Sequence, residues 1–111
     1  MLDVHIAKSG DLSVIQCKGR IVRSAAAFAL RDAVTQQRDA RTVLLDLTEV
    51  ESLEGGGLGM LVFLQRWTHD NGIQFKLFGP SNPVRKSLER ASATSGFEIS
   101  PAKEALSPPA I

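Results

Sequence analysis

Apolar and polar residues alternate from the start of this chain. Leu2, Val4 and Ile6 stand against Asp3, His5 and Ala7, a period of two that predicts a strand with one wet face. Ser9-Gly10-Asp11 is a turn signal, and Leu12 to Lys18 predicts a second strand centred on Val14 and Ile15 and ended by Gly19. So short a connection makes the pair an antiparallel hairpin. From Ser24 the period changes. Ser24 is an N-cap candidate for a helix from Ala25 to about Arg38, with alanines for propensity and Ala27, Phe28, Leu30 and Val34 as its apolar face. Arg31, Asp32 and Gln36 to Arg38 are left for solvent.

Thr42 to Leu47 is an apolar run with little alternation, which predicts a central strand covered on both sides. Glu49 to Glu54 reads as a short connection, and a second helix is predicted from Gly57 to about Asp70. Asn71-Gly72 punctuates. Ile73 to Phe78 is the next strand, with Ile73, Phe75 and Leu77 on one face, and Gly79-Pro80 closes it. Pro83 suits the first turn of a third helix, from about Asn82 to Ala91. Phe97 and Ile99 make a short last strand. The order ββαβαβαβ predicts an α/β fold with a mixed sheet: an N-terminal antiparallel hairpin, then parallel strands connected by helices. Residues 1–99 are expected to form a single domain. Residues 100–111, with Pro101, Pro108 and Pro109 and little to bury, are expected to add a short helical turn and a tail.

Composition narrows the class without naming a function. The chain has 111 residues, 43% hydrophobic and 23% charged, as an ordinary globular domain would. A formal net charge of +1 gives no electrostatic reason to expect nucleic acid or an anionic membrane as partner. The N-terminus shows no basic region followed by an apolar run, and no apolar stretch approaches the ~20 residues of a membrane span. A cytoplasmic protein without direct membrane insertion is the expectation. The lone Cys17 excludes an internal disulfide and reads as a small core residue. His5 and His69 lie far apart on expected surface positions, so no metal site, catalytic residue or cofactor is expected, and the chain does not read as an enzyme.

The candidate chemistry lies in Glu54-Gly55-Gly56-Gly57-Leu58-Gly59, where a strand delivers a glycine-rich loop to a helix start. Glycines let backbone amides converge and permit positive φ. The helix beyond offers unpaired N–H groups and the positive end of its dipole, a field that welcomes an anion and that Glu54 could partly fill. No lysine or hydroxyl residue follows as a P-loop requires, and Gly55, Gly57 and Gly59 do not fit a dinucleotide fingerprint. A tight turn needing small residues and a nucleotide- or anion-binding loop both stay open.

The strand-end Gly19, Leu45-Asp46-Leu47-Thr48, the helix start Gly57-Leu58-Gly59, and the later strand and helix ending near Leu88-Glu89 together resemble the STAS family, the domain of anti-sigma factor antagonists. The resemblance spans roughly residues 3–99. In that family the loop usually runs Asp-Ser-Ser/Thr-Gly-Leu-Gly, and a partner kinase phosphorylates the first hydroxyl residue. Carried onto this chain, Asp46 and Glu54 match the acidic positions flanking that residue. Gly55 stands at the phosphoacceptor position, and Gly56 replaces the second hydroxyl. No serine, threonine or tyrosine occurs between Leu53 and Gly59, which leaves Ser52 as the nearest candidate for a displaced phosphosite and Thr48 beyond it. Where the family often has Gly-x-Leu-Asp, this chain has Gly19-Arg20-Ile21-Val22, followed by Arg23.

The resemblance implies a regulatory protein–protein interaction module that docks on a kinase-fold anti-sigma factor and is not itself phospho-switched. A STAS subunit that docks on the ATPase of a phospholipid-transport system is the alternative, beside the small anion-binding protein. The surface expected to meet a partner comprises Asp46, Glu54, Gly55, Gly56, Gly57, Leu58, Met60, Phe63 and Trp67. On the second helix, Leu58, Leu61, Val62 and Gln65 share one face, and Met60, Phe63, Leu64 and Trp67 another. One face must cover the sheet. The other is either packed under a neighbouring helix or exposed for a partner, and a homodimer stays open.

Overall fold

The computed structural model describes residues 2–21 and 24–100, apart from the side chains of residues 24 and 92–95. Among these residues the elements follow in the expected order: β1 (Leu2–Ser9), β2 (Leu12–Ile21), α1 (Ser24–Thr35), β3 (Thr42–Leu53), α2 (Gly56–Asp70), β4 (Gln74–Phe78), α3 (Asn82–Ser95) and β5 (Glu98–Ser100). The strands form one sheet in the order β1-β2-β3-β4-β5. β1 runs antiparallel to β2, and every later pairing is parallel.

Each crossover joins neighbouring parallel strands, and the right-handed rule then puts α1, α2 and α3 on the same side of the sheet. α2 lies in the middle, in contact with α1 and α3. Ile15, Val43, Leu45, Leu47 and Leu77 from the strands meet Leu30, Val34, Leu61, Leu64, Val84 and Leu88 from the helices, all fully buried. No described element covers the opposite face, where Thr42, Leu44 and Asp46 of β3 are half-buried. Among the described residues β3 is thus covered on one side, not on both as its composition suggests. Leu44, the apolar member of that second face, conceals the alternation.

β2 and β3 are longer than expected for one reason. Gly19 does not end β2; it sits at φ 118°, and the strand continues to Ile21. Pairing steps from Gln16–Asp46 to Lys18–Glu49 and from Gly19–Val50 to Arg20–Ser52, so β3 carries one extra residue at each step. These are bulges, which shift the inward side chains along β3. Leu47, Val50 and Leu53 all point into the core, three apart instead of two. Against a strict period of two, Glu49 to Glu54 looks like a connection, although all but Glu54 belong to the strand.

The helices show similar shifts. α1 ends at Thr35, not near Arg38, and Gln37 beyond it is buried instead of solvated. The Ser13 hydroxyl donates to Gln37 Oε1 at 2.9 Å, and Gln37 Nε2 donates to the Ala33 carbonyl at 3.0 Å. This buried pair ties the end of α1 to β2. Phe28 is 48% exposed and carries the Arg31 guanidinium 4.9 Å above its ring, so it is not part of the core face, which Ala33 joins beside Ala27, Leu30 and Val34. Ser24 is already helical, but its side chain lies outside the described residues. α3 runs four residues past Ala91. Of the turn and tail expected over 100–111, Ser100 instead ends β5, and residues 101–111 lie outside the described residues.

Candidate functional site

The glycine-rich loop is held between the end of β3 and the end of β2. The Glu54 N–H donates to the Ile21 carbonyl at 3.3 Å, and the Gly57 N–H donates to the Glu54 carbonyl at 3.0 Å. The three glycines have different physical duties. Gly55, the N-cap of α2, sits at φ 54° and ψ −122°, a conformation a residue with a Cβ reaches only under strain. Gly57 is buried, and a Cβ there would be driven into the Ile21 carbonyl. Gly59 is exposed, and a Cβ added there would have nothing within 4 Å.

Gly55 stands where the family resemblance expects a phosphoacceptor. Gly55 lacks a hydroxyl, and its backbone suits glycine. Ser52, the nearest hydroxyl upstream, is half-buried in β3 and paired with Arg20 of β2. Val22 and Arg23 lie outside the described residues; Arg20 is exposed. Glu54 is also exposed, and among the described residues no side chain caps the N-terminus of α2. Beyond Glu54 a shallow hollow of about 610 Å³ opens toward α3, lined by Pro83, Lys86, Ser87, Glu89 and Arg90.

α2 resolves the choice between its two apolar faces by splitting both. Leu61 and Leu64, one from each predicted face, turn into the core with Gly57 and Thr68. Val62 and Phe63, again one from each, turn outward at 37% and 49% exposure. Leu58, Met60 and Trp67 flank the core half-buried. Gln65 donates through Nε2 to the Gly96 carbonyl at 3.3 Å, which sets its flank toward the end of α3. The outward face then reads Gly59, Val62, Phe63 and Arg66, at spacings of three, four and seven. That spacing is present in the sequence, but the apolar stripes place Val62 and Phe63 on different faces and so hide it. Arg66 is drawn to Asp70 at 3.6 Å.

Asp46 is not brought to this surface. It lies on the sheet face away from the helices, seven strand residues before Leu53, or roughly 20 Å at ~3.3 Å per residue. One carboxylate oxygen accepts from the Thr48 N–H at 2.9 Å and the Thr48 hydroxyl at 2.7 Å, bracing the first bulge. Nearby, Asp3, His5, Gln16, Lys18 and Glu49 line a hollow of about 220 Å³. Cys17 is buried on the helix-covered face. Burial, assisted by the charge of Asp46, pushes its thiol from 9.0 up to about 12. Among the described residues no three His, Cys, Asp or Glu side chains converge as metal ligands would, and no helix is long and apolar enough to cross a membrane.

Among curated proteins none matches the chain by sequence. Solved structures do match its fold. The anti-sigma factor antagonist SpoIIAA in its unphosphorylated form superposes with a TM-score of 0.74 at 16% identity, over 94% of this chain and 93% of that one. An anti-sigma factor antagonist from Mycobacterium paratuberculosis gives 0.77 at 19% identity, over 96% and 94%. A putative one from Thermotoga maritima also gives 0.77 at 19%, over 93% and 91%. The family model described as "Mlab, STAS domain" matches residues 4–97. With that match running from β1 through all three helices, the chain belongs to the STAS domain family.

Proposed function

We propose that this protein is a non-catalytic, anti-sigma factor antagonist-like regulator that docks on a kinase-fold anti-sigma factor in the cytoplasm. The docking surface is the loop Glu54–Gly56 with the outward face of α2. One observation carries the reading: Phe63 and Val62 stand exposed on the helix that begins at the loop. Fully burying a phenylalanine stabilises by about 1.5–3 kcal/mol, so the exposed half of Phe63 has roughly 1 kcal/mol left to offer a partner. Gly59, one turn before, leaves room for that partner to approach the helix backbone. Leu58, Met60 and Trp67 contribute their half-exposed edges. Gly56 and Gly57 shape the loop. Asp46 serves the bulge and not the partner.

SpoIIAA is known in a phosphorylated form. This chain, with Gly55 where the phosphoacceptor would stand, binds its partner without that switch. A second reading, a STAS subunit docking on a transporter ATPase, uses the same surface, and the description of the matched family model names no antagonist. The test is capture from lysate of the source organism with wild-type protein and with Phe63→Ala, followed by mass spectrometry. Recovery of a kinase-fold anti-sigma factor by the wild type and its loss from the variant supports the proposal. Recovery of a transporter ATPase replaces it with the second reading, and equal recovery by both baits refutes the surface. Incubation with the captured kinase and ATP should add no phosphate to residues 48–56.

A further inference from the structure

β1 is an edge strand with few of the usual defences against pairing. Among the described residues it bonds to β2 alone, in eight consecutive pairs from Leu2–Gly19 to Ser9–Leu12 with no bulge. No proline interrupts it, and its one lysine, Lys8, lies near the far end. Natural edges are commonly blunted by such features. Leu2, Val4 and Ile6 lie against the core only partly buried, which leaves an apolar row along the edge on the helix-covered side. Asp3 and His5 stand exposed on the other side.

The hairpin turn decides which backbone groups are free. Gly10 at φ 59°, followed by Asp11 without positive φ, fits a two-residue type II′ turn. Such a turn makes Ser9–Leu12 a hydrogen-bonded pair. In an antiparallel ladder these pairs alternate with non-bonded ones. Ser9, Ala7, His5 and Asp3 therefore spend their backbone groups on β2, and Lys8, Ile6, Val4 and Leu2 turn theirs outward.

We propose that β1 is a self-association edge that pairs antiparallel with β1 of a second copy about a two-fold axis at Val4. In this register Val4 faces Val4 and Leu2 faces Ile6, so outward N–H and C=O groups meet one another and apolar side chains meet apolar ones. Asp3 then stands opposite His5 of the partner copy, twice by symmetry, in the closer, non-hydrogen-bonded type of pair. Sliding the centre to His5 sets Leu2 against Lys8 and His5 against His5. Sliding it to Ile6 sets Val4 against Lys8. An intermediate slip presents outward backbone to groups already spent on β2. Backbone and apolar complementarity, with the Asp3 carboxylate facing the His5 imidazole, thus select one register and one occupant, a second copy of this chain. The sheet would continue through both molecules, with the outward face of α2 left free.

The test is sedimentation of the full chain from micromolar to millimolar concentration, together with amide hydrogen exchange. Dimer formation should slow exchange at Leu2, Val4 and Ile6 as concentration rises and leave Asp3 and His5 unchanged. Val4→Pro removes an outward N–H and should abolish the dimer. Because that change also alters a packed side chain, Asp3→Lys serves as a surface variant. It replaces the carboxylate that faces His5 of the second copy by a lysine and should weaken association about tenfold, with His5→Asp in the same chain restoring it through a Lys–Asp pair. A chain that stays monomeric to millimolar concentration overturns the proposal. So does a dimer indifferent to Asp3→Lys, or one whose concentration-dependent protection falls on α2.

Discussion

Replacing Gly57 by alanine should destabilise the protein, and replacing Gly59 by alanine should not, although both lie in the first turns of the same helix. At Gly57 the added methyl meets the backbone carbonyl of Ile21, which cannot rotate aside as a side chain would. Overpacking of this kind costs about 1–3 kcal/mol. The displaced carbonyl also accepts the Glu54 N–H, and weakening that bond adds about 1 kcal/mol. Alanine returns up to about 1 kcal/mol of helix propensity. The sum is a net loss of about 2 kcal/mol. Gly59→Ala meets no atom within 4 Å and keeps the propensity gain, so it should stabilise by up to about 1 kcal/mol. Equilibrium urea unfolding measures both. With a slope of about 1–3 kcal/mol per molar, the Gly57→Ala midpoint should fall by about 1 M and the Gly59→Ala midpoint should rise slightly. A Gly57→Ala midpoint at or above wild type would show that the loop does not rest on β2 as described. It also follows that loss of a ligand on Gly57→Val would report loop damage and could not identify a nucleotide site.

Leu64→Ala should cost about 2–5 kcal/mol, whereas its exposed neighbour Phe63→Ala should cost well under half as much in the same urea titration; equal losses would place Phe63 in the core. Ser13→Ala leaves Gln37 Oε1 buried without its donor and should destabilise by about 1–3 kcal/mol, while an unchanged midpoint would mean that water reaches the end of α1. Cys17 should resist alkylation at pH 8 until the chain unfolds, and prompt labelling of native protein would contradict its burial. Because its pKa is raised on folding, its contribution to stability is fully present below pH 9 and is lost as pH rises toward about 12.

Local chemistry is enough to write the order of elements. The alternation of Leu2, Val4 and Ile6, the turn at Gly10 and the helical spacing of Leu30 and Val34 each report a period set by the residues beside them, and neighbouring residues carry that information complete. The STAS pattern is legible for the same reason, since Gly57, at a fixed spacing from the strand before it, encodes a close helix–strand contact. Tertiary structure decides what depends on a partner distant in the chain. The two bulges of β3 exist only against β2, so the end of that strand, from Glu49 to Leu53, reads as a loop in the sequence. Gln37 reads as a solvent residue because its partner, Ser13, is 24 residues away. The two apolar stripes of α2 are equivalent by sequence until α1, α3 and the sheet fix its rotation. That rotation, which buries Leu61 and Leu64 and turns Val62 and Phe63 outward, is a property of how the layers pack, because a helix hydrophobic on several sides does not by itself determine which side meets water.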